Sequence, residues 1–194
     1  VTNWKMYSHP LYPIYGKFKM KGLNRKRYLA VPRNLQHKNR FEKFYISQMS
    51  RSQFVKLPRS TKMKIPFSVT WEELKEFRGT SVRVGGFGPW FGGTLMLVML
   101  ALLAGFLIDW RGYLPYVLFF LFIAGGAAMN YEFWWARLAP QIWLLPYVII
   151  LFLVQARKKI PRIAGVVLTG MLLVNTLAVM TSYLVYQTKE TVYL

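Results

Sequence analysis

Residues 90–108 read WFGGTLMLVMLALLAGFLI, nineteen positions with no charge and no polar helical face. A helix needs roughly 20 predominantly apolar residues to cross the hydrocarbon of a bilayer. This run supplies them and then stops at the polar break Asp109-Trp110-Arg111. A surface helix of a water-soluble domain would carry a polar stripe, and none can be drawn here. The run therefore predicts a membrane span.

Three further apolar runs follow, at 114–129, 140–154 and 163–186. The run at 114–129 begins near Pro115, which suits a first helical turn because its missing N–H has no partner there anyway. Both 114–129 and 140–154 are short for a bilayer and rely on thinning or on neighbouring helices; Pro146 predicts a kink in the second of them. The last run is the longest, with Asn175 and Thr176 as the strongly polar residues near its middle. The expected fold class is an all-α membrane protein with about four transmembrane helices in 90–186 and a short tail at 187–194. Trp90, Trp110, Tyr113, Trp134, Trp135 and Trp143 stand near the predicted ends. That placement suits an aromatic belt, with rings in the acyl boundary and N–H groups in water.

Before these spans lies a basic, loop-rich peripheral segment, residues 1–89. It holds nineteen Lys and Arg against four acids, a net charge of +15, whereas the remainder carries +4. His9-Pro10, Tyr12-Pro13, Gly16 and Gly22 predict loops with a few short strands across 1–32. A short helix is expected within 34–51, with Phe41, Phe44, Tyr45 and Gln48 on one face. Pro58 and Pro66 predict an extended stretch over 56–67. Thr70-Trp71-Glu72-Glu73 has the spacing of a capping box and predicts a short helix over 70–78. Its Trp71, Leu74 and Phe77 recur as an apolar stripe suited to the membrane surface.

Residues 83–93, RVGGFGPWFGG, contain five glycines. A phosphate-binding loop would be followed by Lys-Ser or Lys-Thr, and here it is not. The physical reading is a tight re-entry into the bilayer: glycine permits the turn, Pro89 opens the helix, and Gly88 with Gly92 lets another element approach closely.

The chain has no cysteine, which excludes disulfides, thiolate catalysis and thiolate metal sites. His9 and His37 lack companion ligands at useful spacing, so neither a metal nor another cofactor is expected. Interleaved aromatics and cations in the leader suit nucleic acid, but no recognisable motif supports that partner. A bilayer with anionic lipids attracts the same charges by about 1 kcal/mol per residue near its surface, so lipid or a partner subunit is the stronger expectation.

Arg157, Lys158, Lys159 and Arg162 make 155–162 a basic loop, which the positive-inside tendency places in the cytoplasm, with both termini outside. The near-membrane count of basic residues is five on each side, so the side of the leader stays open on charge alone. Residue 1 is Val, which fits a fragment, a processed chain or a Val-coded start.

Ser8-His9-Pro10-Leu11-Tyr12-Pro13-Ile14 resembles the Asn-Pro-Leu-Tyr-Pro-type segment of bacterial GT-C membrane glycosyltransferases, with His9 in place of the usual Asn. Residues 82–91, and Trp135-Ala136-Arg137-Leu138-Ala139-Pro140-Gln141 with the apolar run after it, resemble the rear part of the same polytopic enzymes. The resemblance implies an extracytoplasmic leader in a bacterial plasma membrane and a preceding membrane portion or upstream membrane subunit. It also implies a polyprenyl-phosphate-linked sugar donor used in cell-envelope glycan assembly. The family's catalytic acid lies in an early extracytoplasmic loop, and no residue here matches it. The chain then corresponds to a carboxy-terminal portion or one partner of a split enzyme.

Three residues are candidates for binding the substrate or the lipid phosphate. Arg137 carries a guanidinium able to grip phosphate with two prongs, or to snorkel to the interface. Glu132, in the same loop, suits a sugar hydroxyl or a pairing with Arg137. Arg83, beside the glycine turn, suits anionic head groups. The alternative is a non-catalytic accessory subunit of a large complex, for example in an organellar inner membrane, whose leader is ordered by its partner.

Overall fold

The computed structural model describes residues 31–54, 60–78, 82–130, 132–156 and 158–192. The Ser8 to Ile14 motif, the loops and short strands expected over residues 1–30, and part of the extended stretch at 56–67 lie outside the described residues.

Among the described residues the chain is helical and contains no strand. Two isolated antiparallel bridges, Ser50 to Met63 and Gln53 to Val84, tie the peripheral segment together. The helices are α1 (Arg40–Gln48), α2 (Trp71–Glu76), α3 (Phe91–Ile108), α4 (Trp110–Ala128), α5 (Leu144–Gln155) and α6 (Lys159–Val192). Helices α3, α4 and α6 are long and apolar enough to cross a membrane, and Pro140–Gln155 is a shorter apolar helix.

The α3–α4 break is a single residue. Asp109 leaves the helical conformation, and its side chain accepts the Gly112 N–H at 3.1 Å, capping α4 at Trp110. The helix therefore starts four residues before the apolar run at 114–129, and Pro115 falls inside it. Before α5, a 3₁₀ turn covers Pro140–Trp143, and the α-helix begins at Leu144. Pro146 thus lies in the first α-turn, where its absent N–H has no intrahelical acceptor to lose. The change from 3₁₀ to α falls two residues before Pro146, where the kink is expected.

The bundle core follows helical spacing. Phe91, Leu95, Val98 and Leu102 of α3 meet Phe120, Ile123 and Ala127 of α4, Leu145, Ile149 and Leu153 of α5, and Leu168 and Leu172 of α6. The opposite faces stay open: Leu100, Leu103 and Leu107 on α3, Leu118, Phe119 and Phe122 on α4, and Val166, Leu173 and Leu177 on α6. A contiguous apolar girdle of this extent is suited to lipid rather than water.

In the peripheral segment, α1 is started by Asn39. Its Oδ1 accepts from Phe41 N at 3.0 Å and Glu42 N at 2.9 Å, and Glu42 Oε2 accepts from Asn39 N at 2.9 Å. This complete capping box was not read from the sequence, and it starts the helix at Arg40. A separate 3₁₀ turn occupies Arg33–Leu35. The buried face of α1 is Lys43, Ser47 and Gln48, while Phe41 and Tyr45 are exposed. Phe41 and Phe44, expected on one face with Tyr45 and Gln48, both pack on Phe133, at ring-centroid distances of 5.6 and 4.9 Å, although Phe41 and Tyr45 stay largely exposed.

In α2, Thr70 accepts the Glu73 N–H at 3.3 Å. The Glu73 carboxylate turns inward, where it accepts from Ser52 N at 3.0 Å and pairs with Lys64. Phe77 is buried while Trp71 is exposed, so the Trp71, Leu74 and Phe77 stripe expected to lie on the membrane is split between two environments.

Candidate functional site

The site forms where the glycine turn of 82–90 meets the aromatic loop of 130–139. Gly85 and Gly88 adopt φ of 59° and 109°, a region that glycine enters without steric cost. The turn they make lets Ser47 Oγ bridge both segments, accepting from Gly85 N at 3.2 Å and donating to Trp134 O at 3.0 Å. The Trp135 indole N–H donates to Val82 O at 3.1 Å. Asn130 Nδ2 donates to Leu138 O at 2.7 Å and closes the loop on itself.

Trp134 and Trp135 are buried with Leu35 and Val84 in a small core of their own. They hold the loop to the turn, which corrects their expected place in an aromatic belt. Trp110, by contrast, is exposed at the far end of the bundle.

The three candidate residues gather around this junction with different environments. The Arg83 guanidinium lies 5.0 Å from the centre of the Trp135 ring, and partial burial pulls its pKa below the usual arginine value. Glu132 is buried, and its carboxylate accepts the Trp134 indole N–H. Its backbone N–H donates to Asn130 Oδ1 at 3.1 Å. Arg137, in the 3₁₀ turn Ala136–Leu138, is exposed. It lines a cavity of about 290 Å³ together with Phe77, Val82, Gly86, Ala136, Val179 and Tyr183.

That cavity is the part sequence reasoning missed. Its walls come from four separate segments, and only Arg137 had been selected from them. One turn past Tyr183 on α6, Tyr186 lies beneath the Arg78 guanidinium, 5.7 Å from ring centre to carbon. The arrangement is an apolar hollow with one arginine, Arg137, among its lining residues. Chemically it suits an amphiphile that combines hydrocarbon with an anionic head.

Among the described residues, no carboxylate lines the hollow. Elsewhere, Glu42 closes the α1 cap, Glu73 pairs with Lys64, Glu76 accepts from Phe54 N at 2.7 Å, Asp109 caps α4 and Glu132 holds Trp134. These five acids are committed to the fold. Among the described residues, no three His, Asp or Glu side chains gather as metal ligands.

No family model matches this chain, and no curated protein or solved structure shows significant similarity to it.

Proposed function

We propose that this chain is the lipid-recognising carboxy-terminal portion, or the split partner, of a GT-C-type membrane glycosyltransferase that uses a polyprenyl-phosphate-linked sugar. The observation that carries this reading is the apolar hollow with Arg137 on its wall. A guanidinium offers paired donors to phosphate oxygens, and the surrounding Phe77, Val82, Val179 and Tyr183 accept hydrocarbon. At about 290 Å³ the hollow falls just below the range of ligand pockets, roughly 300–1,000 Å³. It suits a short length of isoprenoid beside the phosphate, with the rest of the lipid along the open face of α6.

The reading includes four crossings, with α5 and its 3₁₀ lead-in as the short third. The contacts of the 130–139 loop with Ser47 and Val82 return the chain to the leader after α4. The Arg78 contact with Tyr186 returns it there again after α6. Two returns to one end are what two helical hairpins produce. The leader then faces the outside of a bacterial plasma membrane, opposite the basic loop of 155–162. In this reading catalytic acid chemistry belongs to an upstream portion or a partner subunit, in keeping with the structural roles of Glu42, Glu73, Glu76, Asp109 and Glu132.

The test is binding of a short-chain polyprenyl phosphate to the purified, reconstituted protein. Arg137→Ala is expected to weaken binding about tenfold or more, the loss of a charge-assisted contact worth about 1.5–3 kcal/mol, while Arg137→Lys retains part of it. Unchanged binding in a correctly inserted Arg137→Ala protein overturns the reading.

A second reading, an accessory subunit of a larger membrane complex, is favoured by one observation: Glu132 and Arg83 are engaged with Trp134 and Trp135 inside the fold. In that case the hollow binds no polyprenyl phosphate.

A further inference from the structure

The segment between the Ser50–Met63 bridge and α2 carries a run of apolar side chains that the protein itself leaves uncovered. Met63 is 58% exposed, Ile65 79%, Val69 40% and Trp71 68%. Between Met63 and Ile65, the Lys64 side chain points the other way and is buried against Glu73. The alternation is that of an extended stretch with one face held inward by an ion pair and the other turned out.

The position of this face follows from Phe67. Its ring packs on Gly93, where an added Cβ would lie 2.7 Å from the ring, and it stands edge-on to Trp90 with centroids 6.0 Å apart. Phe67 also has φ of 68°. For a bulky residue this is a strained conformation that persists only where the surroundings impose it.

Helical spacing carries the contact downward. Gly93, Met96, Leu100, Leu103 and Leu107 form one stripe of α3, and from Met96 to Leu107 every member of it is at least 38% exposed. This is the lipid-facing stripe of a helix apolar enough to cross the membrane. Phe67 therefore sits at its head, and the turn that carries Phe67 lies at the lipid edge of the bundle rather than over its centre. Lys75, over the Trp71 ring at 5.9 Å, and exposed Lys62 flank the apolar face with cations.

We infer that Met63, Ile65, Val69 and Trp71 form a wedge that inserts into the acyl and headgroup boundary of the bilayer beside the entry of α3. Its partner is the lipid surface. Apolar side chains enter to the depth of Phe67 while Lys62 and Lys75 stay at the level of anionic head groups, the division expected of interfacial anchors. The wedge differs from the stripe expected along α2: it uses Trp71 together with the preceding stretch, and it leaves Phe77 to the protein interior. It rests on α3 spanning the membrane and is independent of the glycosyltransferase reading.

The test uses the full chain in vesicles of zwitterionic lipid with and without an anionic component, with one spin label per protein on an introduced cysteine at Ile65, Val69, His37 or Leu100. Collision rates with oxygen, which concentrates in hydrocarbon, are compared with those of a water-soluble nickel chelate. Labels at Ile65 and Val69 are expected to favour oxygen, as the Leu100 label does, whereas His37 favours the chelate. Aqueous readings at both Ile65 and Val69 beside a hydrocarbon reading at Leu100 overturn the wedge alone. An aqueous Leu100 overturns the spanning of α3 and the wedge with it. Labels at 65 and 69 shielded from both reagents mean a protein covering and likewise overturn it. If Ile65→Cys fails to fold, Val69→Cys decides.

Discussion

The side chain of Asn175, in the middle of α6, lies against Gly88: Oδ1 accepts from Trp90 N at 2.9 Å and Nδ2 donates to Phe87 O at 2.9 Å. The carboxamide substitutes for helical partners that the chain lacks where it turns into α3. A Cβ on Gly88 would lie 2.7 Å from the Asn175 carboxamide carbon. The buried polar residue in the middle of the longest helix is thus what locks the entry of α3.

Asn175→Ala leaves a buried N–H and a buried carbonyl without their partner, and the unfolding free energy in detergent micelles should fall by about 1–3 kcal/mol. Gly88→Ala should cost at least as much, since it adds strain at φ of 109° to the clash. The two losses should be less than additive when combined, because removing the carboxamide opens the space the methyl needs. Full additivity would show that the two residues do not act as one lock.

Lys64 and Glu73 make the second prediction. Both side chains are almost wholly buried. Removing one partner leaves an isolated buried charge, so Glu73→Gln and Lys64→Met should each cost about 3–5 kcal/mol, and the double substitution less than either. Burial, opposed by Glu73, holds the Lys64 ammonium below its usual 10.5. Between that lowered value and 10.5 the unfolded chain binds more protons than the folded one, so the contribution of Lys64 to stability rises with pH across that window. Unfolding free energies of the natural protein and Lys64→Met, compared at rising pH, should diverge in favour of the natural protein; a falling difference would reverse the assignment.

Much of this architecture was legible because helices in lipid announce themselves by length and apolarity, with little competing signal. Residues 90–108 gave α3 within one residue of its observed start. What was not legible depended on partners distant in sequence. Trp134 and Trp135 occupy belt positions by sequence, yet Val82 and Glu132 draw them inward. Thr70 caps α2 as its spacing predicts, but Lys64 and Ser52 take the Glu73 carboxylate, so the reciprocal half of the capping box does not form. The box that does close, at Asn39 and Glu42, fixes at Arg40 the start of the helix expected within 34–51. Arg137 was identified as a side chain, but its hollow was not, since Phe77, Val82 and Tyr183 converge only in the fold.

Glu132 distinguishes a structural acid from a ligand-binding one. Glu132→Gln keeps an oxygen for the Trp134 indole N–H and should change stability by less than about 0.5 kcal/mol, whereas Glu132→Leu orphans that donor and should cost about 1–3 kcal/mol. Binding of a polyprenyl-phosphate-linked sugar should be unaltered in Glu132→Gln. A binding loss without a stability loss would instead put the carboxylate in contact with the sugar.

The absence of cysteine makes the topology directly measurable. Single cysteines at His37, Arg111, Lys158 and Lys189 report the leader, the α3–α4 turn, the α5–α6 loop and the end of α6. Four crossings predict that His37 and Lys189 react with an impermeant thiol reagent in intact cells, while Arg111 and Lys158 react only after permeabilisation. Were α5 to enter and leave on one side, the chain would cross three times. Lys158 would then join His37, and Lys189 would lie opposite. That pattern conflicts with the Arg78–Tyr186 contact, which holds the last turns of α6 beside the leader, so the Lys189 label separates the two topologies. Protection of both His37 and Lys189 in intact cells, with Arg111 and Lys158 labelled, would keep the four crossings but reverse their direction. A cytoplasmic hollow of that kind would not meet a donor presented outside, and the glycosyltransferase reading would give way to the accessory-subunit one.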